Sequence, residues 1–190
     1  MTEQPFSDFS HDSSVADFAV SKRAYLDARP EAPFEYVATS TLVLDTRNPS
    51  EPRILLLQRA ASDSNPSKWE PPGGACDNDD LSILHAAARE LWEEAGLRAV
   101  WIGGPVADPH FFIRSNGGKV CRFNFAVQVS IGGGTELIVK LDPKEHQNFV
   151  WATEDEVKAR KVDSIDLLFT RDEVRCTVLS AFDYWKANEA

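Results

Sequence analysis

Arg89-Glu90-Leu91-Trp92-Glu93-Glu94-Ala95-Gly96-Leu97 is the stretch on which the reading of this chain turns. It closes the run LSILHAAARELWEEAGL (81–97), whose Ala, Leu and Glu content favours a helix. Gly96 stands where a left-handed C-terminal cap belongs. At about 100° per residue, Leu84, Ala87, Ala88, Leu91 and Ala95 fall on one stripe, the expected buried face. Glu90, Glu93 and Glu94 stand at i, i+3 and i+4, so their carboxylates share a face beside that stripe despite their mutual repulsion. An isolated Glu cluster on a helix is most often a solvated acidic surface. Carboxylate oxygens gathered in this way are also the ligands that Mg²⁺ or Mn²⁺ favours.

The surroundings decide between these readings. Upstream lies a loop without periodicity, DSNPSKWEPPGGACDNDD (63–80), of a length at which loops are usually functional. Loop and helix together resemble the signature of the Nudix hydrolase family, G-x5-E-x7-R-E-U-x-E-E-x-G-U, where U is aliphatic. Residues 89–97 match its end in full, which average composition produces by chance in about 1 in 10⁵ chains of this size. LLLQRA (55–60) followed by SKWEPPGG (67–74) resembles the family's first strand pair and entry loop, and the resemblance covers roughly residues 34–160. One departure stands out. Counted from Arg89, the pattern's first Glu falls on Leu81 and its Gly on Ala75; counted from Gly74, that Glu falls on Asp80. This reads as a one-residue insertion with Asp80 in the place of the Glu.

The resemblance implies an α/β fold, a Nudix-like α/β/α sandwich with a mixed β-sheet between helices. It implies Mg²⁺ (or Mn²⁺) held by Glu90, Glu93 and Glu94, and hydrolysis of a diphosphate bond in a nucleoside diphosphate derivative by water attack at phosphorus. Glu93 is the first choice for the general base. Glu145, in PKEHQ (143–147), resembles a downstream acid that completes the metal site. Arg89 would orient a neighbouring carboxylate, Arg59 would contact a substrate phosphate or serve the structure, and the Gly74 carbonyl would add a ligand or substrate contact. Trp69 is expected in the core. Two rivals share these residues: the same site acting on an isoprenoid diphosphate by hydrolysis or isomerisation, and a nucleotide-binding module without turnover.

Composition fits this reading. The 190 residues carry 20 Lys+Arg and 30 Asp+Glu, a net charge of −10. An acidic balance argues against a nucleic-acid polymer or an anionic membrane as partner, but not against a small diphosphate bridged by a cation. Between Glu70 and Glu94, seven acids face one base, placing −6 of that −10 in the segment proposed to bind cations. At 43% hydrophobic the chain has enough apolar residues for one core. Cys76, Cys121 and Cys176 are odd in number and have no CxxC spacing, and MTEQPFSDFS has no signal-peptide character. The expectation is a reduced, cytoplasmic, soluble protein, with a homodimer compatible with it.

Along the chain, residues 1–33 are expected to form an N-terminal tail and helix, 34–160 the Nudix domain, and 161–190 a C-terminal helix packed on that domain. Residues 1–14 read as a mobile tail and 15–28 as a helix. Strands are expected at 34–45, 54–59, 99–102, 110–114, 121–129, 136–141 and 149–152, and helices from Thr153 and over 172–189. Asn116-Gly117-Gly118 signals a hairpin, and Gly132-Gly133-Gly134 a flexible connection. Asp77-Asn78-Asp79-Asp80 fails as a calcium loop, with Ser82 and Ala88 at its sixth and twelfth positions. His11, His85, His110 and His146 lack zinc spacing and read as structural or surface residues, with only His85 expected near the chemistry.

Overall fold

The computed structural model describes residues 5–131 and 136–188, so the glycine run at 132–134 lies outside the described residues. In chain order the elements are β1 (Ser10–His11), a 3₁₀ segment (Ser13–Phe18), α1 (Lys22–Asp27), β2 (Tyr36–Asp45), β3 (Arg53–Arg59) and β4 (Trp69–Glu70). There follow α2 (Ile83–Ala95), β5 (Ala99–Gly103), β6 (His110–Ile113), β7 (Lys119–Val129), β8 (His146–Thr153), α3 (Glu154–Ala159), β9 (Lys161–Val162), β10 (Ile165–Asp166) and α4 (Asp172–Asn188).

The run ILLL (54–57) shows why the molecule has three layers. A strand covered on both sides is apolar at every position. Leu55 and Leu57 of β3 pack with Val43, Leu84, Leu91 and Phe125 under α2. Ile54 and Leu56 point the other way, to Leu42, Val150, Val178 and Phe182 under α4. The sheet between runs β1-β5-β7-β2-β3-β4, with β6 also on β7 and β8 also on β3. It is mixed, since β2 and β7 pair in parallel while β3 and β8 are antiparallel. The expected α/β/α sandwich is therefore the fold. Cys121, Phe123, Phe125 and Val127 all face the α2 side, and Trp69 is fully buried on the α4 side.

The feature that positions the site is a parting of the sheet. β2 and β3 pair only at Leu44 with Ile54 and Asp45 with Arg53, and then separate. The loop after β4 fills the opening. Thr41 N–H donates to Pro72 O (2.8 Å), Thr39 N–H to Gly74 O (2.8 Å) and Cys76 N–H to Val37 O (2.9 Å). Gly73 has φ +148°, and a Cβ there would lie 2.2 Å from Thr39 O, so the loop can lie this close to β2 only with glycine.

Four expectations need correction. Residues 5–14 are not a loose tail: Phe6 is buried, β1 pairs in parallel with β5, and Asp12 caps the 3₁₀ segment. The helix expected over 15–28 is two short pieces, because Ser21 starts a second one by accepting from Ala24 N–H (3.2 Å). Residues 136–141 form no strand. Val139 and Leu141 pack on the core, but the segment's bond is from Lys140 N–H to Ala95 O (2.8 Å) at the end of α2, with no ladder. Conversely, FVWA (149–152) is the centre of the eight-residue β8 along the whole of β3. The capping box at Thr153 and the left-handed Gly96 (φ 65°) form as read. Among the described residues no helix is long and apolar enough to cross a membrane.

Candidate active site

α2 starts on Ser82, whose side chain accepts from His85 N–H (3.0 Å), and runs with its apolar stripe on the sheet. Its acidic face is graded rather than uniform. The Glu93 side chain is 53% exposed, Glu90 is largely covered, and Glu94 is buried at 6%. Glu94 accepts from Gly73 N–H (2.7 Å), so the loop in the sheet opening grips the helix directly. A Cβ on Gly74 would lie 2.7 Å from the Glu90 carboxylate, so the second glycine makes room for that side chain. Burial pushes Glu90 up to about 7; Arg89 opposes this, while Glu93 and Glu145 add to it. Burial also raises Glu94 well above the ordinary carboxylate range, against the Gly73 amide and with help from Glu90, Glu70 and Glu145.

Arg89 ties helix and loop together. Its Nη1 donates to Glu90 Oε1 (3.0 Å) and Glu93 Oε2 (2.9 Å), and its Nη2 to Ala75 O (3.0 Å). Asp80 takes the remaining fork, accepting from Nε (2.9 Å) and Nη2 (3.0 Å). Asp80 is 5% exposed and also accepts from Asp77 N–H (2.7 Å). Burial alone would raise its pKa, but the Arg89 fork and that amide outweigh it and the net direction is down. The acid in the place of the motif's first Glu thus reaches Arg89, although one residue more than the pattern allows separates the two, and Leu81 in that interval is exposed. His85 Nδ1 lies 3.3 Å from Asp80, and its ring meets Phe6 edge-on.

Glu145 and His146 complete the cluster from the start of β8. Glu94, Glu145 and His146 each offer a ligand atom, all within 4.8 Å of one another. His85 is therefore not the only histidine near the chemistry; His146 was missed because its position depends on the pairing of β8 with Arg59, which spacing alone does not reveal. Among the described residues its buried Nδ1 has no hydrogen-bond partner, and burial lowers its pKa, which favours the neutral form that ligates. A buried carboxylate with one amide donor beside an unpartnered imidazole nitrogen fits a divalent cation, which would neutralise the first and engage the second.

Arg59 turns out to be held by protein carboxylates. Its Nε and Nη2 donate to Asp63 (2.7 and 2.5 Å), and Nη1 donates to Glu70. Burial works against its charge, yet these partners hold it protonated above its ordinary value. Asp63 and Glu70 were not singled out from sequence, although an acid between Trp69 and Pro71 in an apolar context was a signal. The Gly74 carbonyl already accepts from Thr39 N–H, which leaves one lone pair for a cation or substrate.

The class that fold and site define is an α/β/α sandwich whose glycine loop delivers a glutamate-bearing helix to a cation-fitting cluster. A model of the NUDIX domain matches residues 36–172, and the chain belongs to the Nudix hydrolase family. It is 40% identical over 50 residues to m7GpppN-mRNA hydrolase NUDT17 of Bos taurus, a match spanning 26% of this chain and only 16% of that relative. Among solved structures it is similar to the MutT protein of Methanosarcina mazei Go1 (TM-score 0.57, 26% identity, 80% of this chain and 95% of that one). It shares its fold with a C. elegans Ap4A hydrolase (TM-score 0.59, 22% identity, 80% and 98% covered).

Proposed function

We propose that this protein hydrolyses a diphosphate bond in a small nucleoside diphosphate derivative, using Mg²⁺ or Mn²⁺ and water attack at phosphorus. The observation that carries this reading is the meeting of Glu94 of α2, buried and penalised in its charged form, with Glu145 and His146 in one cluster. Glu90, Glu93, Glu94 and Glu145 would hold the cation, with His146 as a nitrogen ligand. A cation held there would supply charge neutralisation of the diphosphate and a more acidic water. Arg89 holds Glu90 and Glu93 in one orientation, and Glu93, the most exposed of the helix carboxylates, accepts the proton of the attacking water. The described substrate of the Bos taurus relative, a capped mRNA, supports a nucleotide derivative; the net charge of −10 favours a small molecule over a polymer.

The test is a panel of dinucleoside polyphosphates, nucleotide sugars, ADP-ribose, oxidised nucleoside triphosphates, prenyl diphosphates and a short capped RNA, assayed for product release with and without Mg²⁺ or Mn²⁺. Glu93→Gln should lower kcat on the active substrate by about 10²-fold or more. Folding should be unchanged, because the lost contact is a surface ion pair. Full turnover in that variant would remove Glu93 from the role of base, and metal-independent hydrolysis would overturn the proposed chemistry.

A further inference from the structure

Beside the carboxylate cluster lies a cavity of opposite character. Arg59, Arg114, Arg122 and Arg171 line a space of about 280 Å³ together with Glu70 and Phe112. Four guanidinium groups face one lining carboxylate, and counting Asp63, which holds Arg59, still leaves an excess of two positive charges. In a chain of net charge −10 that concentration is unusual.

Much of this cationic capacity is unspent. Among the described residues Arg122 Nε is buried with no hydrogen-bond partner, and its Nη1 lies 3.6 Å from Glu70 Oε2, beyond hydrogen-bond range. Arg114 and Arg171 are exposed and sit over the Tyr36 and Phe112 rings at 5.0 and 5.1 Å; among the described residues neither has a carboxylate partner. Arg122 also lies over Phe112, at 5.3 Å. The aromatic ring of this cavity already carries two cations, so the cavity is built for anions rather than for stacking a base. Planar guanidinium forks match phosphate oxygens in particular.

The cavity and the cluster share a wall. Glu70 stands three residues before Gly73, whose amide holds Glu94, and Arg59 is the register partner of His146. Arg59 and Glu70, which line the cavity, thus stand beside the residues of the cluster. We infer that this cavity binds further phosphate groups of the substrate, beyond the bond being cleaved, so that the preferred substrate is a polyphosphate rather than a lone diphosphate. This inference rests on the diphosphate-hydrolase reading above for its substrate, but not for its binding site.

The test uses the full chain freed of metal with EDTA and inorganic tripolyphosphate as the probe, followed by calorimetry at low salt. Wild type should bind, and Arg114→Ala/Arg171→Ala should bind at least about tenfold more weakly. The charge-conserving Arg114→Lys/Arg171→Lys, which keeps the surface intact, should retain part of the affinity. With Mg²⁺ present, the ratio of kcat/KM for a nucleoside tetraphosphate to that for a nucleotide sugar should fall about tenfold or more in the double alanine variant. Equal tripolyphosphate binding by wild type and the double alanine variant, or none by wild type, overturns the inference. If no substrate is hydrolysed at all, the hydrolase reading fails while the tripolyphosphate titration still judges the cavity.

Discussion

Asp80 shows how much a single side chain carries in this site. It is buried, it fills two donors of Arg89, and through Arg89 it fixes Glu90 and Glu93. Removing one partner of a covered ion pair leaves the other charge stranded, which costs about 3 kcal/mol. Asp80→Ala should therefore lose about that much stability in urea unfolding and lower kcat as well, since the helix carboxylates lose their brace. A loss under about 1 kcal/mol would mean that Asp80 is not Arg89's main support. Counting along the motif singled out Asp80 and the helix glutamates, because one helix and one loop are local in sequence. Glu70 and His146 were not legible in that way. They reach the site through the pairing of β3 with β4 and β8, and register between strands is written in no single stretch.

At the scale of elements, the N-terminal segment differs most from its reading. Its polar composition, Ser and Asp above all, hides a few large apolar residues at wide spacing. Phe18 packs at 4.7 Å from Phe123 and 5.1 Å from Phe125, and stacks at 5.6 Å on Tyr25. It thus closes the α2 side of the core over β7. Phe18→Ala should cost about 3 to 5 kcal/mol, as for other aromatic truncations in cores, measurable by chemical denaturation. A change near zero would show that the segment only rests on the surface. The strand expected at 136–141 fails for a related reason. Alternation there is real, with Val139 and Leu141 half-covered between exposed Ile138 and Lys140, but alternation sets facing and not pairing. α2 and α4 were legible because amphipathic helices carry their packing in their own period.

For the molecule as a whole, burying acids beside one another makes folding depend on pH and on cations. The folded protein holds Glu90's proton up to about 7, whereas the ordinary side chain releases it near 4.5. Between those values the folded state binds more protons than the unfolded state. Stability from this group is thus full below 4.5 and is lost as pH rises through 7, by about 3 kcal/mol. Glu94 acts in the same sense. His110 and His146, lowered by burial, act in the opposite sense as pH rises toward 6.5. The comparison that isolates the effect is Glu90→Gln. Metal-free wild type should lose Tm relative to that variant on going from pH 4.5 to 7, and Mg²⁺ or Mn²⁺ should restore wild type more at neutral pH than in acid. Parallel pH curves for the two proteins would show that Glu90 does not titrate in this window. The charge count placed these acids within residues 70–94, but how deeply each carboxylate lies, which sets the pH effect, was not legible there. The arginine cavity was beyond sequence reading for a similar reason, since Arg59 and Arg171 come from stretches far from the hairpin that carries Arg114 and Arg122, and only the topology unites them.

The parting of β2 from β3 gives the glycine loop an anchorage on the sheet that is separate from its anchorage on the helix. The glycine loop is fastened at one end to the edge of β2 and at the other, through Asp80, to Arg89, while Asp77 to Asp79 between them are exposed. The chain carries 14 residues between Gly74 and Arg89, where the pattern has 13, and both fastenings still close, so the interval accommodates the additional residue without loosening either end.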